Sequence, residues 1–140
     1  QKKDNKMKLD KILAISKKPG LYKLINPSRG GYIVESISEK KKFYAKADSD
    51  LSLLSEISIY TLAGEVPLSN VFSKIFDKEK GEKTSISAAS AKDELESYFF
   101  SVLPDFDEER VYSSDIKKIL NWYNILLNDN FNFKSEKASK

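Results

Sequence analysis

The chain has 140 residues, 40% apolar and 11% aromatic, with a formal net charge of +3. It contains no histidine and no cysteine, which excludes thiol nucleophiles, histidine-based triads, disulfide chemistry and ordinary zinc sites. No apolar run approaches the ~20 residues that span a bilayer, so a globular protein of one domain or two small ones is expected.

Residues 1–6 are polar and read as a tail, with Met7 fitting a native start. Over 8–16, Leu9, Ile12 and Leu13 stand at helical spacing before Pro19-Gly20, which predicts a short helix reliant on tertiary contacts. Strand-like pieces follow at 21–25, 32–37, 43–47 and 56–61, separated by the turn signals Asn26-Pro27-Ser28-Arg29-Gly30-Gly31 and Ser38-Glu39-Lys40-Lys41-Lys42. Short strands with tight turns predict a small curved antiparallel sheet, of the kind that closes into an SH3- or Tudor-like barrel.

At Val66-Pro67 the period changes. Leu68, Val71, Phe72, Ile75 and Phe76 form one helical face, which predicts a helix over 67–77 backing the sheet. Residues 79–89 are polar and rich in small side chains, and read as a linker. A second helix starts near Ser90 and carries Leu95, Tyr98, Phe99, Val102 and Leu103 before Pro104 stops it. The last helix is capped by Ser113 or Ser114 and presents Ile116, Ile119, Leu120, Tyr123, Leu126 and Leu127. The expected organisation is a tail (1–6), a β domain with flanking helices (7–78), a linker (79–89), a two-helix unit (90–128) and a tail (129–140). The fold class is α+β.

Several stretches carry a resemblance: Lys11-Ile-Leu-Ala-Ile-Ser16, Lys18-Pro-Gly-Leu-Tyr-Lys23, Val34-Glu35-Ser36, Glu65-Val-Pro-Leu68, Leu103-Pro-Asp-Phe-Asp107, Arg110-Val-Tyr-Ser113 and Trp122-Tyr-Asn-Ile-Leu126. In this order, over residues 7–127, the chain resembles a Bacteroidetes domain-of-unknown-function family. The resemblance implies a small-barrel-like N-terminal part, a helical C-terminal part and a cytoplasmic bacterial setting. It supplies no catalytic residues.

Motifs with known chemistry fail one by one. Gly20, Gly30, Gly31, Gly64 and Gly81 cannot satisfy a dinucleotide or phosphate-loop pattern. Asp105, Asp107, Glu108 and Glu109 open like a calcium loop, but Arg110 and Ile116 stand where glycine and glutamate are required. Ser38 with Lys41 and Ser114 with Lys117 match a Ser-x-x-Lys spacing no more often than chance. Glu35 lies within an apolar strand: turned inward it would need a partner such as Lys23 or Lys46, and turned outward it is an ordinary surface glutamate. No catalytic residue, metal ligand or cofactor is assigned.

Binding features remain. Residues 1–46 hold 13 basic and 4 acidic side chains, while 47–140 hold 11 basic and 17 acidic ones. The basic side is nearly all lysine, which suits electrostatic steering better than base readout. Lys23, Arg29, Lys40, Lys41, Lys42 and Lys46 border a sheet whose aromatics include Tyr44 and Tyr60, the two expected to be exposed. On the last helix, Trp122 and Ile125 lie beside the main stripe and must be covered by the N-terminal part or by another chain. The favoured reading is a non-catalytic, cytoplasmic interaction module that binds a protein partner, or a second copy, through the sheet face and the helical end. Non-specific nucleic-acid binding by the basic face is an alternative, as is an enzyme with a carboxylate or tyrosine site centred on Glu35. No membrane partner is expected.

Overall fold

The computed structural model describes residues 9–16, 18–47 and 50–133; the expected tail at 1–6 and the last part of 129–140 lie outside them. A 3-10 turn (Leu9–Lys11) leads into β1 (Ile12–Ile15). Strands β2 (Tyr22–Ser28), β3 (Gly31–Ser36), β4 (Lys42–Lys46) and β5 (Leu51–Leu53) complete an antiparallel sheet of order β4-β3-β2-β1-β5. The sheet stays open, with β4 and β5 as its edges, so the class is α+β but the barrel expected from strand spacing is not closed.

The expected helix over 8–16 is corrected to a turn followed by a strand. Ile12, Leu13, Ala14 and Ile15 form an unbroken apolar run, which suits a strand covered on both faces as well as it suits a helix. Ile12 and Ala14 pack with the main core, while Leu13 and Ile15 join a second cluster with Tyr22, Val34 and Ala45. That second cluster is built entirely from the sheet's own residues, Leu24, Tyr32, Phe43, Leu51 and Leu53 among them. In β5 the alternation Leu-Ser-Leu turns both leucines toward it.

After a 3-10 turn (Leu54–Glu56), β6 (Ser58–Thr61) and β7 (Gly64–Pro67) form a separate hairpin. Strand β7 escapes a pattern reading because its one apolar residue, Val66, stands among a glycine, a glutamate and a proline that are exposed. Pro67 ends the hairpin and caps α1 (Leu68–Lys78), whose Leu68, Val71, Phe72 and Ile75 are buried. Helix α2 (Lys92–Val102) opens with the Glu94 carboxylate accepting the Ala91 N–H at 3.3 Å. Helix α3 (Ser113–Asn128) uses the same device, Asp115 Oδ2 accepting the Tyr112 N–H at 3.0 Å.

One core joins these elements, running from Leu9 and Ile12 through Ile59 and α1 to α2, α3, Phe131 and Phe133. Residues 79–89, expected as a linker, are tied down in several places. Glu79 Oε2 accepts from the Tyr98 hydroxyl at 2.5 Å and from the Ser85 N–H at 2.9 Å. Tyr123 donates to the Glu82 carbonyl, and the Thr84 N–H donates to Asn124 Oδ1. Beyond α3, in the segment expected as a tail, Phe131 and Phe133 are buried. The Phe133 ring meets those of Phe72, Phe76, Tyr123 and Phe131 at centroid distances of 4.9 to 6.0 Å.

Candidate functional site

The sheet surface favoured from sequence divides into separate small structures. Lys23, Glu35 and Lys42 stand side by side on β2, β3 and β4, so Glu35 is a half-buried glutamate between two lysine positions. It does not line the large cleft described below. Tyr44 is exposed, but its hydroxyl donates to the Arg29 carbonyl at 2.7 Å and its ring covers the β2–β3 turn. A Cβ on Gly31 would lie 2.2 Å from the Ala45 carbonyl and 2.9 Å from that ring, so only glycine permits this approach. Lys40 takes a left-handed backbone conformation at φ +62° and ion-pairs with Asp129 at 2.6 Å, joining the β3–β4 turn to the end of α3. Arg29, Lys41 and Lys46 are exposed.

Two residues singled out from sequence, Tyr60 and Trp122, are brought together instead in a cleft of about 830 Å³. Its walls come from β1 (Ala14, Ile15), the following turn (Lys18 to Gly20), β5 (Ser52), Ile57 and β6 (Ser58 to Tyr60), and α3 (Lys118, Ile119, Trp122). Asp115, Lys118, Ile119 and Trp122 fall at i, i+3, i+4 and i+7, one face of the helix that shares Ile119 with its core stripe. Trp122 is partly buried and packs on the core edge, as does Ile125.

Arg110, not among the candidate site residues read from the sequence, completes the site. Its guanidinium lies 4.9 Å from the Tyr60 ring centroid, and its Nε faces Asp107 Oδ2 at 3.6 Å. The turn between α2 and α3 holds it there: Phe106 is buried, and the Arg110 and Val111 amides both donate to the Asp107 carbonyl. The acidic run at 105–109 thus serves as this turn, and among the described residues no group of three acidic side chains converges on a metal position. Arg110 could have been suspected as one of only two arginines, but its partner Tyr60 is 50 residues away in sequence. The cleft rim holds Lys18, Arg110 and Lys118 against Asp50 and Asp115, and the Asp115 carboxylate already caps α3.

A second depression, of about 710 Å³, lies over α2 and the serines at 85, 87 and 90. Beneath it, burial and the Glu79 carboxylate raise the Tyr98 phenol pKa. Burial and the carboxylates of Glu79 and Glu82 push that of Tyr123 up to about 12. Partial burial works against ionisation of Glu79, but hydrogen bonds from Tyr98 and Ser85 and the nearby Lys78 outweigh it and lower its pKa.

This architecture is an α+β protein in which an open sheet and a helical part share one core, with a mixed apolar and charged cleft at the seam. Residues 57–126 match the family Domain of unknown function (DUF6852), and residues 9–54 match Domain of unknown function (DUF5606). The chain is also similar to a protein from Bacteroides vulgatus solved by solution NMR as a structural-genomics target, at 45% identity over 88% of each chain and a TM-score of 0.75. The chain therefore belongs to this Bacteroidetes domain-of-unknown-function family. No curated protein matches it. The boundary between the two matched domains falls at the 3-10 turn Leu54–Glu56, and both domains line the cleft. No helix among the described residues is long and apolar enough to cross a membrane.

Proposed function

We propose that this chain is a non-catalytic interaction module that binds a segment of a protein partner in the cleft between its two domains. The observation that carries the reading is the meeting of Trp122, Tyr60 and Arg110 in one concave site. Tryptophan, tyrosine and arginine are the residue types that most often dominate binding energy at protein interfaces, above all in sheltered pockets. Ile15, Ile57, Ile59 and Ile119 supply apolar surface beside them. The absence of histidine and cysteine supports the non-catalytic part, and a cysteine-free chain suits a reducing cytoplasm. On the sheet face, Tyr44 and Lys40 are occupied by internal contacts, which favours the cleft over the basic surface.

Affinity capture from native lysate, with and without nuclease, tests this. A nuclease-resistant protein partner should be retained by the parent chain and by a variant neutralised at Lys40, Lys41 and Lys42, and lost on Trp122→Ala. Capture that disappears with nuclease or with the lysine variant, and survives Trp122→Ala, would overturn the reading in favour of nucleic acid.

A further inference from the structure

The structure points to a specific occupant of the cleft, an inference that rests on the reading above. We infer that the cleft takes an extended, acidic peptide segment whose backbone pairs with Ser58 while a carboxylate reaches Arg110 and an apolar side chain lies against Trp122.

The backbone anchor follows from register. Strand β6 pairs with β7 along one edge, with Ser58 opposite Pro67. Along its other edge, the Tyr60 carbonyl accepts the Asp107 N–H and the Leu62 N–H donates to the Asp105 carbonyl, framing an isolated bridge between Thr61 and Phe106. In an antiparallel strand, alternate residues turn their N–H and C=O toward the same edge. Ser58, two residues before Tyr60, therefore presents both groups on the side where the 105–107 segment lies, one position past the point where that segment turns away. Ser58 is exposed, lines the cleft and has no partner on that side among the described residues. An incoming extended segment would continue the line begun by Phe106 and Asp107, donating to one Ser58 group and accepting from the other.

Charge chooses the segment. Of the rim's cations, Lys18 turns its ammonium to the Phe43 ring, 5.3 Å from the centroid, which leaves Arg110 and Lys118 on the cleft beside Asp50 and the cap carboxylate of Asp115. Asp107 meets Arg110 through Nε, so the terminal guanidinium nitrogens remain for a carboxylate delivered over the Tyr60 ring. A strand with alternating apolar and acidic residues places its two kinds of side chain on opposite faces, one toward Trp122 and Ile57 and the other toward the rim.

The probe is an acetylated, amidated peptide alternating isoleucine or valine with glutamate. Its controls are the same peptide with lysine for glutamate and two forms N-methylated on alternate peptide nitrogens. Trp122, the single tryptophan, reports binding by its fluorescence, and amide exchange reports on Ser58. The glutamate peptide should bind and protect the Ser58 amide. The lysine peptide and one of the two N-methylated forms should not bind. Arg110→Ala should weaken binding about tenfold, the scale of one charge-assisted contact. Ser58→Pro removes the outward N–H, and the preceding Ile57 already has the extended backbone that a following proline requires, at φ −90° and ψ 133°. It should also lose about tenfold, with an unchanged melting temperature showing that the fold is intact.

Equal binding of glutamate and lysine peptides overturns the acidic specificity. Binding that ignores Ser58→Pro and both N-methylated forms, yet is lost on Trp122→Ala, overturns the backbone anchor while leaving the cleft as the site. If no peptide shifts Trp122 emission the inference falls, and the capture experiment then decides separately whether the cleft binds a partner.

Discussion

Replacing Phe133 with alanine tests whether the chain beyond α3 belongs to the core. Phe133 is 1% exposed and its ring touches four others, from α1, from α3 and from the adjacent Phe131. Its carbonyl also accepts from the buried Ser73 hydroxyl at 3.3 Å. A fully buried phenylalanine removes about 200 Å² of apolar surface from water, worth about 5 kcal/mol at ~25 cal/mol per Å². Measured Phe→Ala changes in cores run at about 3–5 kcal/mol, and surrounding rings that collapse into the cavity would favour the lower end. Against a total stability of about 5–15 kcal/mol this is a large loss. Urea unfolding should show a midpoint lower by about 2 M, taking a slope near 2 kcal/mol per M. Phe133→Leu keeps most of the volume and should cost about 1–2 kcal/mol. A change below about 1 kcal/mol for Phe133→Ala, or no difference between the two variants, would refute the placement of this segment in the core.

Three further outcomes follow from the fold. Gly31→Ala should destabilise by about 2 kcal/mol or more, because its Cβ would collide with the β4 backbone and the Tyr44 ring; Tyr44→Phe relieves none of the backbone clash and should not rescue it, as thermal melts of the single and double variants will show. The folded-state pKa of Glu79 is lowered, so its contribution is present above the unfolded carboxyl value near 4.3 and is lost as pH falls through the folded value; Glu79→Gln should flatten that acid limb of urea midpoints against pH. The phenols of Tyr98 and Tyr123 have raised folded-state values, so their contribution is whole below about pH 10 and is lost as pH rises from there, through about 12 for Tyr123. Tyr98→Phe should make the alkaline limb shallower and also cost about 1 kcal/mol at neutral pH through the lost bond to Glu79, both read from the same midpoint series.

The helices were legible because their period is local: the apolar stripes of α1, α2 and α3 each lie within one segment and end at proline or a polar turn. The hairpin of β2 and β3 was equally plain from Asn26 to Gly31. Strand β1 escapes a local pattern because four successive apolar residues satisfy two geometries, and only the second cluster inside the sheet's curve decides for the strand. Phe131 and Phe133 looked like part of a tail because two aromatics among asparagines show no period, although their partners on α1 and α3 await them. For the site, Tyr60 and Trp122 could each be marked as surplus to their own element. Their meeting, and the role of Arg110, depends on how β6, α3 and the α2–α3 turn converge, which no local spacing encodes.

The most direct measurement of the central claim is site-specific photo-crosslinking in cells, with the reactive residue placed at Asn121 on the cleft wall or at Lys74 on the exposed side of α1. The account predicts that the Asn121 position captures one discrete protein partner through a defined peptide, that Trp122→Ala abolishes this product, and that the Lys74 position gives none. Equal products from both positions, or an Asn121 product indifferent to Trp122→Ala, would contradict it.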